Sequence, residues 1–304
     1  MIIIMNGKNV FKILIGFSQG SASDILANII SPEISKIFGQ EVIIQSYLGG
    51  NGINAMQALN FTDSIENTIL MATLGSHVFG RVFSKERVFI TPYFGKPIAK
   101  IASCPLVILA STKLKIQSIH ELILYASNKN KSIQFGSSAI GGTPHLAGLI
   151  FCKKAGINMI HRDYVHTNEL YKDLVDGNLD ITFNNIMSAL PLIKTRKVVP
   201  IAITSLIRHP LIPTIPTVVE CGINDYAIEN WLGFCVNNNV SEIRKKLLKK
   251  MIEVVLSSAS VQNQLKLNGM SPFLQFDSSF EQTINLEMNY WSNFLHAFGL
   301  SRIA

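Results

Sequence analysis

Two parts of this sequence repeat one order of elements: a short apolar strand, a loop of small polar residues and a helix. In the first part, the apolar run Phe11–Phe17 precedes the loop Gly20–Asp24. In the second part, Ile133–Phe135 precedes the loop Gly136–Thr143, and Pro144–Ala155 follows as a helix with proline in its first turn. Strands that alternate with helices predict βαβ units. The chain is therefore expected to form two α/β lobes, each with a doubly wound, mainly parallel sheet flanked by helices.

Composition agrees with two folded domains. The chain has 304 residues, of which 48% are hydrophobic and 15% charged. This length exceeds what one hydrophobic core usually supports, and the high apolar fraction excludes intrinsic disorder. The longest apolar stretches, such as Cys104–Ala110, are too short to span a bilayer.

Helical periodicity is clearest after the first loop and near the C-terminus. A helix is predicted over Ile25–Phe38, kinked or divided at Pro32 and ended by Gly39. Three C-terminal helices are predicted over Ser241–Leu256, Ala259–Asn268 and Phe280–Phe298. These helices are expected to complete the first lobe.

The net charge of +7 raises the question of nucleic-acid binding. The densest basic run lies in the first C-terminal helix, and it consists of Arg244, Lys245, Lys246, Lys249 and Lys250. Apolar residues recur in the same stretch at helical spacing, namely Ile243, Leu247, Met251, Ile252 and Val255. We interpret the basic residues as the solvated face of an amphipathic helix. No sequence signature of a nucleic-acid-binding fold accompanies them, so no nucleic-acid partner is expected.

The four cysteines show neither CxxC spacing nor a ligand cluster with histidine, and they do not indicate a redox compartment. Cys221 and Cys235 are the only pair fairly close in sequence, and buried free thiols are an equal alternative to a disulfide. The apolar start Met1–Met5 is shorter than a secretion signal requires. No signal peptide is visible in this chain, which leaves open both a periplasmic and a cytoplasmic location.

The two small-residue loops are the candidate binding elements. Free N–H groups and the positive end of a helix dipole favour anions at such strand-to-helix junctions, and hydroxyl groups add neutral donors. In open α/β sheets these loops lie at the carboxyl ends of the strands, where ligands bind. Ordinary helix capping by Ser23 and Thr143 is the structural alternative.

Several spaced motifs resemble one family, the Bug or TctC-like solute receptors of tripartite tricarboxylate transporters. The resemblance extends from about Phe11 to the C-terminus. The matching segments are Gly16–Asn28 (GFSQGSASDILAN), Phe135–Leu146 (FGSSAIGGTPHL), Asp176–Ile193 (DGNLDITFNNIMSALPLI), Ile212–Gly222 (IPTIPTVVECG) and Trp231–Phe234 (WLGF). Several motifs in the family's order are much more specific than any single glycine pattern.

The resemblance implies a periplasmic location and a type II periplasmic-binding-protein fold, a Venus flytrap of two lobes with a ligand cleft between them. It assigns residues 1–104 and 232–304 to lobe 1 and residues 105–231 to lobe 2. It implies a monomeric receptor without catalytic activity or cofactor, which captures a small carboxylic acid, such as a di- or tricarboxylate, for a membrane permease of the tripartite tricarboxylate type. Closure about hinges near Ser103–Pro105 and Asn230–Phe234 is the expected mechanism.

The resemblance also implies a set of ligand-binding residues. The first wall is expected to contain Phe17, Ser18, Gln19, Ser21, Ala22, Ser23 and Asp24. The second wall is expected to contain Ser137, Ser138, Ile140, Gly142, Thr143 and His145. Ser76, His77, Tyr164 and Asn184 match further positions of the family's site.

Individual residues allow other interpretations. Asp24 either accepts a hydrogen bond from a ligand amine or stabilises its own helix start, and His145 either binds a carboxylate or caps its loop. His161 and His166 lack further ligands, so no metal is expected. The GxGxxA pattern over Gly50–Ala55 follows the second strand, which favours a turn over a dinucleotide site.

Two other functions are alternatives to the receptor. A hydrolase would use Ser137 or Ser138 as nucleophile, but the loop lacks the closing glycine of GxSxG and no ordered set of Ser, Asp and His stands out. A carboxylate sensor without a transport role is the second alternative.

Overall fold

A computed structural model describes residues 10–83, 95–128, 132–297 and 299. The chain divides into two compact units. Unit 1 consists of residues 1–18, 23–103 and 231–304, and unit 2 of residues 19–22 and 104–230. Within the described ranges, no helix has both the length and the apolar character needed to cross a membrane.

Unit 1 is built from two parts of the chain, one before and one after the residues of unit 2. Its N-terminal elements are β1 (Phe11–Ile15), α1 (Ala22–Phe38), β2 (Val42–Ser46), α2 (Ile53–Asn60), β3 (Thr68–Thr73) and α3 (Gly80–Phe83). Its C-terminal elements are β9 (Glu229–Val236), α8 (Glu242–Ser257), α9 (Ala259–Leu267), β10 (Ser271–Phe276) and α10 (Asp277–Ala297). Phe298, the predicted last residue of the final helix, lies outside the described residues.

The sheet of unit 1 is mixed. β1 pairs in parallel with β2 and β3, whereas β9 pairs antiparallel with β3. The long strand β4 (Lys96–Ser111) belongs to unit 1 in its first half, where β10 pairs with it in antiparallel orientation. The parallel part matches the predicted βαβ units. The antiparallel strands appear where the chain leaves unit 1 along β4 and returns along β9.

Unit 2 repeats the pattern with shorter strands. After the second half of β4, its elements are α4 (Ile119–Ser127), β5 (Gln134–Ser137), α5 (Thr143–Ala155), β6 (Ile160–Asp163), α6 (Thr167–Asp176), β7 (Ile181–Asn185), α7 (Ile186–Lys194) and β8 (Val198–Ile203). β5 pairs in parallel with β6 and β7. β4 pairs antiparallel with β7 and β8. The motif-bearing loop 136–143 therefore follows a strand with parallel partners on both sides.

Helix α1 is one element, so the prediction that Pro32 divides it is wrong. Proline lacks the N–H that would bond to the carbonyl group of Asn28. Both residues are exposed, so water can solvate that carbonyl group. The predicted end of the helix is confirmed, since Gly39 has a φ of 64° and donates its N–H to Ser35 O at 2.9 Å.

Helix α8 is amphipathic, but its basic residues do not form one solvated face. Arg244 and Lys245 are buried. Arg244 donates from Nε to Glu66 O at 2.5 Å and from its guanidinium NH2 group to Asn67 Oδ1 at 2.6 Å. Ile243, predicted to face the core, is 76% exposed. The apolar face is formed instead by Leu248, Met251, Ile252, Val255 and Leu256.

Candidate functional site

The first loop leads from β1 into α1. Because the helix starts at Ala22, Ser23 lies within its first turn and is not the N-cap residue that the capping alternative required. Its side chain is 1% exposed, and its Oγ has no hydrogen-bond partner. A buried hydroxyl without a partner is uncommon because it loses its hydration without compensation. Ser23 Oγ therefore has hydrogen-bonding capacity that no described residue uses.

The other residues of the first loop differ in exposure. Ser18 and Ala22 are buried, Phe17, Ser21 and Asp24 are half-buried, and Gln19 is exposed. Asn28 Nδ2 donates to the Asp24 backbone O at 2.8 Å and to Asp24 Oδ1 at 3.1 Å. One carboxylate oxygen of Asp24 is thus engaged by its own helix.

Gly20 gives the first loop its turn. Its φ of 79° lies in the left-handed region that favours glycine. Its carbonyl oxygen accepts a hydrogen bond from Ser188 Oγ at 2.8 Å. Residues 19–22 belong with Ser188 to unit 2. Ser188 was not among the predicted site residues, although it lies in one of the family-like motifs.

The second loop leads from β5 into α5. The N-cap residue of α5 is Gly142, which has no side chain, so the capping alternative for Thr143 is also wrong. Thr143 is buried and donates from Oγ1 to Asn230 Oδ1 at 3.4 Å. Ile140 is 53% exposed and Ser138 is half-buried. The loop therefore presents an accessible apolar residue, a hydroxyl and the start of a 13-residue helix.

Four side chains form a cluster behind the second loop. Ser137 Oγ lies 2.8 Å from His161 Nε2. The His145 and His161 rings lie 3.9 Å apart between centroids, and the Phe135 ring lies 4.9 Å from His161. His145 Nδ1 accepts the backbone N–H of Gly141 at 2.9 Å. His145 thus caps the loop, which is one of its two predicted roles. No motif in the sequence indicated the contact between Ser137 and His161.

Burial makes both histidines weak bases. It lowers the pKa of His145 to about 3, with a further contribution from the neighbouring His161. Burial also lowers the pKa of His161 to about 4. Both rings are therefore neutral at neutral pH. Because His145 Nδ1 is an acceptor, the single proton of that ring is on Nε2.

Asn184 and Tyr164 are buried in unit 2 and already have hydrogen-bond partners. Asn184 Oδ1 accepts the N–H of Asn185 at 2.9 Å. The Tyr164 hydroxyl donates to Asp173 Oδ2 at 2.9 Å. Desolvation, together with that carboxylate, raises the pKa of Tyr164 to about 12. The Tyr164 hydroxyl therefore stays protonated at neutral pH.

Ser76 and His77 are buried in unit 1. Ser76 Oγ lies 2.9 Å from His77 Nδ1 and 3.1 Å from Thr73 Oγ1. The other ring nitrogen of His77 lies 3.4 Å from Cys235 Sγ. Ser76 and His77 follow β3, as the first loop follows β1, and Cys235 lies on β9.

Two amide side chains connect the second loop with other strands of unit 2. Asn230, which binds Thr143, donates from Nδ2 to Asn185 Oδ1 at 3.1 Å. The same oxygen accepts from Cys104 Sγ at 3.4 Å. Sequence reasoning placed neither Asn185 nor Asn230 in the site. The only signals in the sequence were that Asn185 lies next to Asn184 in the motif Asp176–Ile193, and that Asn230 precedes Trp231 in the predicted hinge.

Within the described ranges, no group of three or more His, Cys, Asp or Glu residues is placed to hold a metal ion. Cys104, Cys152, Cys221 and Cys235 are all free thiols, so the alternative of a Cys221–Cys235 disulfide is wrong. Those two cysteines belong to different units. Apart from the Asp24 carboxylate, the polar groups of the two loops are amides, hydroxyls and neutral imidazoles.

The fold is similar to that of periplasmic binding proteins of known structure. The Rhodopseudomonas palustris protein Rpa4515, solved with adipate, matches 98% of this chain and 100% of its own at 23% identity, with a TM-score of 0.91. The periplasmic binding protein BugD matches 98% of this chain and 100% of its own at 20% identity, with a TM-score of 0.91. MatC of Rhodopseudomonas palustris, solved with bound malate, matches 93% of this chain and 98% of its own at 19% identity, with a TM-score of 0.84.

The sequence identifies the family. Residues 26–300 match the tripartite tricarboxylate transporter family receptor, TctC. The chain belongs to this family of solute-binding receptors, as its motifs predicted. The family assignment and the mixed α/β fold confirm the predicted family and fold class.

Proposed function

We propose that this protein binds a small carboxylic acid and delivers it to a membrane permease of the tripartite tricarboxylate type. The observation that carries the proposal is the pair of loops with neutral donors at the N-termini of α1 and α5, with the unpartnered hydroxyl of Ser23 buried in the first. Helix N-termini and neutral donors stabilise an anion without the desolvation cost of a buried cation. The adipate and malate held by two proteins of the same fold support this ligand class.

In this proposal the predicted residues of both loops contact one ligand, together with Ser76, His77, Tyr164 and Asn184. Binding shifts the arrangement of the two units about the segments near Ser103–Pro105 and Asn230–Phe234, which lie within β4 and β9. The receptor acts as a monomer in the periplasm, the location stated for BugD. A ligand that binds one arrangement of the units more tightly than the other stabilises that arrangement by the difference between the two binding free energies.

The test is thermal unfolding with a panel of acids that includes adipate, malate, citrate and several amino acids. At a ligand concentration of about 100 times Kd, we expect a stabilisation of roughly 2.7 kcal/mol from at least one acid. Mass spectrometry of small molecules released by denaturation checks for ligand that co-purified. A panel without any shift, from protein that releases no acid, would contradict the proposal.

Ser23→Ala sharpens this test. Ser23 Oγ has no partner, so its removal breaks no hydrogen bond in the free protein. We expect unchanged or slightly higher stability, because alanine avoids burying an unpaired hydroxyl, and an affinity reduced roughly three- to tenfold. Ser258→Ala is the matched control, since Ser258 is the N-cap of α9 but makes no side-chain cap bond. Equal affinity in the Ser23→Ala variant would remove this hydroxyl from the site.

The contact between Ser137 and His161 favours a second candidate, a hydrolase with a Ser–His pair. However, the family consists of solute-binding receptors, and the loop 136–143 lacks the closing glycine of GxSxG. We therefore expect no turnover of a chromogenic ester such as p-nitrophenyl acetate. Turnover that disappears in Ser137→Ala would establish the hydrolase instead.

A further inference from the structure

The side chain of Asn185 joins two strands that are distant from each other in the sequence. Asn185 is the last residue of β7 and the N-cap residue of α7, and it is buried. Its Oδ1 accepts from Cys104 Sγ at 3.4 Å and from Asn230 Nδ2 at 3.1 Å. A carbonyl oxygen has two lone pairs, so one amide can accept both donors. Asn230 Oδ1 in turn accepts from Thr143 Oγ1 at 3.4 Å, at the first residue of α5.

Cys104 and Asn230 lie where the chain enters and leaves the main segment of unit 2. They are the first and the last residue of the segment 104–230, on β4 and on β9. The pairing of β4 with β7 places Leu106 opposite Asn185. Cys104, two residues before Leu106, is therefore a diagonal neighbour of Asn185 on the same face of the sheet. One amide thus holds both strands at the ends of this segment.

The next residues along the two strands are held within unit 1. Ser103 is paired with Ser271 of β10. Trp231 donates from Nε1 to Glu287 Oε2 at 2.6 Å, and its ring lies edge-on to that of Phe280 at a centroid distance of 5.2 Å. On each strand, two neighbouring residues are thus held in different units, and one peptide link connects them.

We propose that Asn185 is a positioning residue for ligand binding, which joins the start of α5 to both strands at the points where they leave unit 2. A ligand that contacts the second loop restricts Thr143, and the hydrogen-bonded amides carry that restriction to Asn230 and Cys104. All four side chains are buried, so the loss of one partner leaves the other unsatisfied. Asn185 acts through these contacts and does not touch the ligand. This inference rests on the proposed function, because it names the residue that couples the second loop to the predicted hinge segments.

Hydrogen exchange measured by mass spectrometry tests this coupling, with adipate and malate as separate probes. In the parent protein, we expect a saturating probe to slow exchange in the loop 136–143, in the β4 segment 102–107 and in the β9 segment 228–232. In Asn185→Ala the protection of the loop should remain, whereas that of both strand segments is lost. A merely structural role would not remove protection by ligand from the strands alone. We also expect roughly three- to tenfold weaker binding in this variant.

Cys104 offers a matched pair of neutral variants. Cys104→Ser retains a donor to Asn185 Oδ1, whereas Cys104→Ala removes it. We expect Cys104→Ala to lose the protection by ligand in the β4 segment and to keep it in the β9 segment, because Asn230 still binds Asn185. Cys104→Ser should keep both. Cys221→Ala removes a half-buried thiol elsewhere in unit 2 and is the control, which should follow the parent protein.

These measurements separate the possible failures. If a probe binds but both strand segments stay protected in Asn185→Ala, or if the two Cys104 variants lose protection equally, the receptor function stands and the role of Asn185 falls. If neither probe binds the parent protein and no acid is released from it, the proposed function fails and this role with it. Exchange in the free protein then shows whether Asn185→Ala loosens both strands. If circular dichroism shows that Asn185→Ala is unfolded, the Cys104 pair decides alone.

Discussion

At the scale of residues, the second loop depends on packing that its sequence does not reveal. Phe135 lies between Phe183, His145 and His161, with centroid distances of 6.2, 6.1 and 4.9 Å. The two loops could be predicted because each is a continuous run of small polar residues between an apolar strand and a helix. The motifs did not predict the partner of Ser137, because that contact depends on the pairing of β5 with β6 over 24 residues.

Gly148 tests this packing. It lies in α5, where alanine normally stabilises a helix by about 1 kcal/mol. A Cβ at Gly148 would lie 2.3 Å from Phe135 Cε2, and the neighbouring rings prevent Phe135 from moving. We therefore expect Gly148→Ala to lower the free energy of unfolding by roughly 1–3 kcal/mol in urea denaturation.

A double-mutant cycle provides the control. Phe135→Leu shortens the side chain that a Cβ at Gly148 would meet. The combined variant should lose less stability than the sum of the two single changes. Additive losses would show that the Phe135 ring is not what excludes alanine at Gly148.

At the scale of elements, local signals predicted helix ends better than they predicted strands. Gly39 ends α1 with a φ of 64°, and α5 ends at the predicted Ala155, after which Gly156 has a φ of 67°. Capping residues and glycine mark such ends in any sequence. β6 and β10 were missed because their exposed residues lack an apolar alternation, and only pairing with β5 and β4 makes them strands.

Pro32 provides a test at this scale. Because α1 continues through it, the proline costs one intrahelical hydrogen bond. Pro32→Ala should restore that bond and raise the free energy of unfolding by about 1–2 kcal/mol, after allowance for the looser unfolded chain. Denaturation in urea measures the change.

Pro144→Ala is the matched control. Pro144 occupies the first turn of α5, where its missing N–H costs nothing. We expect a change within about 0.5 kcal/mol or a small loss. Equal gains from both substitutions would mean that the interior position of Pro32 is not the cause.

At the scale of the whole molecule, the order of motifs was sufficient to predict the family and the fold class. It did not predict the antiparallel pairs of β9 with β3 and of β4 with β7. The strands of each pair are far apart in the sequence, and β4 and β9 are the strands along which the chain passes between the two units. The order of motifs also did not predict that Arg244 and Lys245 are buried, since both are buried only when α8 packs, and the partners of Arg244, Glu66 and Asn67, are distant in the sequence.

The pH dependence of unfolding belongs to this scale. His145 and His161 have folded pKa values of about 3 and about 4, below the ordinary value of 6.5. The unfolded chain therefore binds protons first as the pH falls. The stability that the neutral pair contributes is complete above pH 6.5 and is lost as the pH falls below 6.5 toward the folded values.

We expect the Tm of the parent protein to fall between about pH 7 and pH 4.5 more steeply than that of His145→Gln, by roughly 2–5 °C. Glutamine does not titrate, and its amide oxygen can accept the Gly141 N–H. Differential scanning calorimetry at several pH values measures the difference. His120→Gln, an exposed change, should follow the parent curve, and parallel curves for all three proteins would contradict the prediction.

The four thiols have a consequence for where and how this chain folds. Burial raises the pKa of Cys104, Cys152, Cys221 and Cys235, to about 12 for Cys152. Thiolate is the species that attacks disulfides and oxidants, so these four thiols are less reactive toward oxidants in the folded protein than in the unfolded chain. Its native state requires no oxidising partner, and the same fold is accessible in a reducing and in an oxidising compartment.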